Sequence, residues 1–287
     1  MLRKLLAALS AILCVAVGIG CDSSNGPAGG TGEKTTTANL PKFSFFVTSY
    51  KAIKELSGSA NGFGGDLRYG ESGAGAGLRG ADKICAAVAE RSMSGAAAKQ
   101  WKAFLSVTAD ENGKPVNAID RIGTGPWYDR MGRLLANNQT ELLAERPTGA
   151  DAAIKNDFPN EDGVTNHNPD LTGEVDNHDM ITGSNASGQL YSVTATCKDW
   201  TTAVSSGNGK PRVGHSWPRL GGGGMGGGVS GGPSMGGDGS INHWISALDE
   251  AGCAAGVNLV ETGPPGNDGK IGSGGGYGGF YCFALIP

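Results

Sequence analysis

Four histidines, His167, His178, His215 and His243, are the side chains whose charge or metal affinity would matter near neutral pH. No His-Glu-x-x-His pattern links any two of them, and neither His167 nor His178 stands at ligand spacing on a recognisable helix. Convergence would have to come from folding, and ordinary loop and hydrogen-bonding roles are the expectation. Hard oxygen donors are denser. Asp157, Glu161, Asp162, Asn166, Asn168, Asp170, Glu174, Asp176 and Asp179 crowd one irregular stretch. Calcium takes about six to eight oxygen ligands, so Asp162, Asn166, Asn168, Asp170, Asp176 and Asp179 are the candidate ligands of a structural Ca2+. Their spacing is not that of an EF-hand, and a solvated acidic loop held by Asx turns is the alternative.

Nucleophile signals are weak. Gly228-Val229-Ser230-Gly231-Gly232 lacks the strand-to-helix setting and the flanks of a nucleophile elbow, and the glycines of 221–239 lack the Gly-Lys-Ser/Thr of a phosphate loop. Paired carboxylates for glycoside hydrolysis are defined by their separation in space and cannot be picked here. The expectation is therefore a protein that is not an enzyme. An aromatic side chain near an open loop can stack on a sugar or anchor a protein. Trp217, with His215 and His243, forms the expected ligand-binding set, whereas Trp244 is read as core. A net charge of -4 with 17% charged residues, and no basic patch interleaved with aromatics, excludes nucleic acid as a partner.

These residues need elements to position them, and the start of the chain is not one. Arg3 and Lys4 precede an apolar or small stretch to Gly20, the order of a signal peptide over residues 1–20, shorter than the roughly 20 apolar residues of a secure membrane span. Gly18-Ile19-Gly20-Cys21 resembles a lipobox, so Cys21 is the expected lipid anchor, with ordinary secretion or a retained anchor as alternatives. The polar, small residues that follow, to about residue 41, read as a flexible tether. A single domain over 42–287 is expected, lipid-anchored in the bacterial cell envelope, at the outer membrane or cell surface.

Four cysteines remain in that domain. An even number in an exported chain suits disulfides. Three pairings are formally possible, and the nested one, Cys85 with Cys282 and Cys197 with Cys253, is preferred.

Phe43 to Ser49 is aromatic and β-branched, which predicts a strand. Leu78, Ala81, Ile84, Cys85, Val88 and Ala89 recur at helical spacing and predict one main helix over 78–91, its inward face carrying Cys85 and its first turn Asp82. Further strands are predicted at 101–107, at 180–184 and at 277–285, with a short pair of strands around Trp127 and Leu134. The sequence holds 51 glycines, concentrated after residue 207 with no Gly-X-Y period. Long loops are the reading, and the fold class is α+β, with a β-sandwich as runner-up.

Several of these fragments carry a family resemblance. Phe46-Val47-Thr48, Gly77-Leu78-Arg79-Gly80-Ala81-Asp82-Lys83-Ile84-Cys85, Trp101-Lys102-Ala103-Phe104-Leu105-Ser106, Asp120-Arg121-Ile122 before Gly125-Pro126-Trp127, Cys197-Lys198-Asp199-Trp200-Thr201 and Gly279-Phe280-Tyr281-Cys282-Phe283 occur in this order. Together they resemble the C-type-lectin-like, endostatin-like domains of bacterial lipoproteins, over about residues 42–287. The resemblance implies short strands, a main N-terminal helix, long loops, and a first cysteine bonded to the last with the inner two bonded together. The calcium-dependent sugar motifs of that broad fold are missing: no Trp-Asn-Asp precedes Cys253, and Asn168-Pro169-Asp170 is the nearest approach to the tripeptide. Carbohydrate or another surface protein is the expected partner, beside the membrane reached through the lipid. A structural envelope role without a small ligand, and then an exported hydrolase, are the alternatives.

Overall fold

The computed structural model describes residues 40–167, 177–218, 242–259 and 265–287. Along the chain run β1 (Phe45–Val47), α1 (Tyr50–Ser57), α2 (Ala76–Ser92), β2 (Trp101–Ala103), β3 (Trp127–Tyr128), β4 (Leu134–Ala136), α3 (Gln139–Leu142), β5 (Asp179–Ile181), β6 (Arg212–His215), β7 (Leu248–Asp249), β8 (Gly276–Gly279) and β9 (Tyr281–Ala284), with 3-10 turns at Ala96–Lys99 and Ala118–Arg121. Short strands and helices make this an α+β fold. No helix of the described residues is long and apolar enough to cross a membrane.

The two ends of the fold pair with each other. β9 is the middle strand of an antiparallel sheet ordered β1-β9-β2, with Phe46 and Ala103 both opposite Cys282. Every residue of β1 and β9 is buried, because aromatic rings fill both sides: Phe45 lies 5.0 Å from Phe283, and Phe46 4.8 Å from Trp101. Each such side chain contributes about 1.5–3 kcal/mol when fully buried. Helix α2 packs over this sheet with the predicted apolar stripe, and Cys85 on it is bonded to Cys282 on β9.

Two expectations about helices change. Helix α2 starts at Ala76, so Asp82 lies beyond the first turn. Its carboxylate instead gathers Lys102 Nζ at 2.9 Å, the Ala103 amide at 2.9 Å and Arg121 Nη2 at 2.8 Å, joining α2 to β2 and the 3-10 turn behind it. The second change is an additional helix, α1. Ser49 caps it by accepting from the Ala52 amide, and Gly58 ends it in the left-handed conformation at φ 66°.

A second sheet, ordered β7-β6-β5-β8, pairs β5 antiparallel to β6 and parallel to β8. The predicted closing strand is two strands: β8 belongs to this sheet, β9 to the other, and Phe280 lies between them. The last glycines are therefore not loop. Those of β8 are buried, and Tyr277 among them donates to the Thr48 carbonyl at 2.6 Å. The predicted strand at 101–107 is also shorter, ending at Ala103.

Between β5 and β6 the chain makes one left-handed turn, with φ of 48°, 54°, 56° and 62° at Cys197, Lys198, Asp199 and Trp200. Left-handed backbone costs a non-glycine residue roughly 1–2 kcal/mol, and several bonds offset that here. Asp199 accepts from the amide and hydroxyl of Thr108, both at 2.6 Å, Trp200 Nε1 donates to Ser106 O at 2.9 Å, and Cys197 is bonded to Cys253. The turn lies against Gly77 of α2, where a β-carbon would meet Asp199 O at 2.0 Å.

Candidate functional site

Cross-strand register brings together what the sequence holds apart. Asp179 opens β5 and its partner on β6 is His215. His215 Nε2 stands 3.0 Å from Asp179 Oδ1, and His178 Nε2 stands 3.3 Å from the same oxygen. The two imidazoles meet at 4.1 Å between ring centres. His178, Asp179 and His215 each offer a donor atom, and these atoms lie within 4.8 Å of one another. All three side chains are buried.

Neighbouring elements hold this cluster in place. The backbone bonds of His215 N to His243 O and of Ser216 N to His178 O extend the pairing beyond β6. Arg146 donates to His215 O at 2.6 Å and to Ser216 O at 2.7 Å, with its guanidinium 4.2 Å over the Phe158 ring. On the other side the chain is glycine for a steric reason. A β-carbon at Gly274 would lie 2.8 Å from Asp179 Oδ2, and Gly275, at φ 137°, accepts from the Asp179 amide. The Gly274 amide donates to Glu250 Oε2 at 3.0 Å, which seats a second buried carboxyl beside Asp179.

The two carboxyls are shifted in opposite directions. Burial alone would raise Asp179, but the adjacent His178 and His215 outweigh it and hold its pKa below the ordinary carboxylate value. Burial first, and then the charge of Asp179, push Glu250 well above its own.

Of the expected calcium ligands, Asp179 is in this cluster. Asn166 is buried nearby, its amide donating to Asn177 O and Ser216 Oγ and its carbonyl accepting from Tyr277 at 3.2 Å. Asp162 is exposed in a turn whose amides are held by Asn160. Asn168, Asp170 and Asp176, and the anchor candidate Cys21, lie outside the described residues. The expected ligand-binding residues surround the cluster. His215 is part of it, and His243 accepts from the Ile245 amide through Nδ1. Trp217 is 5% exposed, stacked on His167 at 3.9 Å and set edge-on to His178 at 4.5 Å, with Nε1 donating to Asn177 Oδ1. It lines a surface hollow with Asn156, His167 and Pro218.

The sequence reading did not select His178 or Glu250 for the site. The adjacent pair His178-Asp179 was the available signal, but its completion by His215 depends on strand register. Chemically, two imidazoles and a carboxylate can hold a divalent ion. No protein-family profile matches the chain, and no curated protein is significantly similar to it in sequence.

Proposed function

We propose that this is a lipid-anchored protein of the bacterial cell envelope whose domain binds a glycan or protein ligand at the surface and catalyses no reaction. The observation that carries the reading is the state of the cysteines: all four in the described residues are paired, first with last and inner with inner. Such pairing suits the oxidising compartment to which the leader and Cys21 point. A C-type-lectin-like topology is supported by the sheet built from both ends of the domain and by the disulfide from α2 to β9. The His178, Asp179, His215 and Glu250 side chains are buried rather than set in an open cleft, as a binding domain with an internal polar cluster would have them.

The test is acyl labelling of the full chain in bacteria beside Cys21→Ser, followed by fractionation and a glycan array on the purified protein. Labelled protein in the membrane fraction, an unlabelled soluble variant and saturable glycan binding are expected. An unlabelled wild-type chain would overturn the anchor, and turnover of an arrayed glycan would overturn the non-catalytic reading.

A further inference from the structure

We infer that His178, His215 and Asp179 bind one divalent ion of the zinc class, with the Glu250 carboxyl as its neighbour. The donor set indicates the metal. Imidazole nitrogen suits zinc and the other late first-row ions, whereas calcium prefers an all-oxygen shell of about six to eight ligands. The two histidines and the aspartate supply two nitrogens and one carboxylate within 4.8 Å.

A second observation points to the same place. Asp179 is wholly buried, and among the described residues neither of its carboxylate oxygens meets a well-aligned hydrogen-bond donor. A buried carboxylate left in that condition is costly. The two imidazole nitrogens stand 3.0 and 3.3 Å from one and the same Asp179 oxygen, the convergence that co-ligands of one ion would show.

The framework is also rigid enough for a metal. Asp179 and His215 come from paired strands, Arg146 fixes the carbonyl of His215, and glycine at 274 lets the backbone close over the aspartate. Closure on all sides predicts slow exchange and a structural rather than a catalytic ion, since a catalytic zinc keeps an open position. This inference is independent of the lipid anchor and of any surface ligand.

The experiment uses the full chain, exported through its own leader and purified without a histidine tag. Elemental analysis is followed by chelator stripping and separate titrations with Co2+, Zn2+ and Ca2+. One Co2+ per chain is expected, visible through its d-d absorption, displaced by Zn2+ and untouched by excess Ca2+. His178→Ala and His215→Ala should abolish uptake, and Glu250→Gln should weaken it about 10- to 100-fold, the usual effect of removing a supporting group. Asp179→Asn, nearly isosteric, should lose binding while both disulfides and the near-ultraviolet circular dichroism persist. If the alanine variants fail to fold, paramagnetic shifts of the His178 and His215 ring protons in the Co2+-loaded wild type decide. No uptake by the stripped wild type, displacement of zinc by calcium, or full uptake by a folded His178→Ala, His215→Ala double variant would each overturn the site.

Discussion

Asp179 and His215 are direct partners across β5 and β6, and the His215 Nε2 to Asp179 Oδ1 distance is 3.0 Å. The pair is 36 positions apart by residue number and joined only by the sheet. The fold is thus a condition of the site.

Cys85→Ser and Cys282→Ser should lose the same stability, about 2–5 kcal/mol, the usual cost of removing a native disulfide from a small domain. Each variant should show one reactive thiol at the partner position. Denaturant melts and mass spectrometry of alkylated protein give both numbers. A Cys282→Ser chain in which Cys85 is still disulfide-bonded would be incompatible with the α2 to β9 link.

The left-handed turn beside α2 gives two substitutions of opposite sign. Gly77→Ala should destabilise by about 1–3 kcal/mol through overpacking, since the added carbon meets Asp199 O at 2.0 Å. Alanine's better helix propensity, about 1 kcal/mol, works the other way and is outweighed. Lys198→Gly should raise the unfolding midpoint, because Lys198 is exposed at φ 54° and glycine relieves that strain. Equal midpoints for Gly77→Ala and wild type would contradict the close approach.

Glu161 should make stability fall with rising pH. Burial raises its pKa above 4.5 despite the hydrogen bonds that Ser49 donates to both carboxylate oxygens. The folded state then holds its proton more tightly than the unfolded chain. That contribution is complete below about 4.5, the unfolded value, and is lost as pH rises through the elevated folded one. Glu161→Gln keeps one acceptor for the Ser49 amide and should flatten this part of the stability curve. Denaturant titrations from acid to neutral pH measure the slope, and an unchanged slope in the variant would assign the dependence to another group.

Local pattern explains what the sequence revealed. The stripe through Ala81, Ile84, Cys85 and Val88 needs only helical periodicity, and α2 follows it. The aromatic run at Phe45 likewise gives β1. Helix α1 was legible through Ser49 and Gly58, which bracket it as caps, and through Tyr50, Ile53 and Leu56 at helical spacing, but its eight residues make little more than two turns. Gly276 read with the glycine-rich loops because side-chain patterns say nothing about a strand buried by backbone packing, whereas Tyr277 to Gly279 fell inside the predicted closing strand. Asp82 passed for a helix-end charge because its three partners lie 20 or more residues away. Glu250 was hidden for the same reason, and His178, although next to Asp179 in sequence, gains its partner His215 only through the register of β5 and β6.

Because Phe45 lies opposite Phe283, the folded chain enters and leaves through the same doorway. Tension applied at the two ends would part β1 from β9 as a zipper, one residue pair after another. The tear would stop at Cys282, where the bond to Cys85 carries the load past the 197 positions it spans. The sheet containing Asp179 and His215 lies wholly inside that span, sheltered from any pull except through β8, so a domain held at its ends can stretch at the rim without opening its centre.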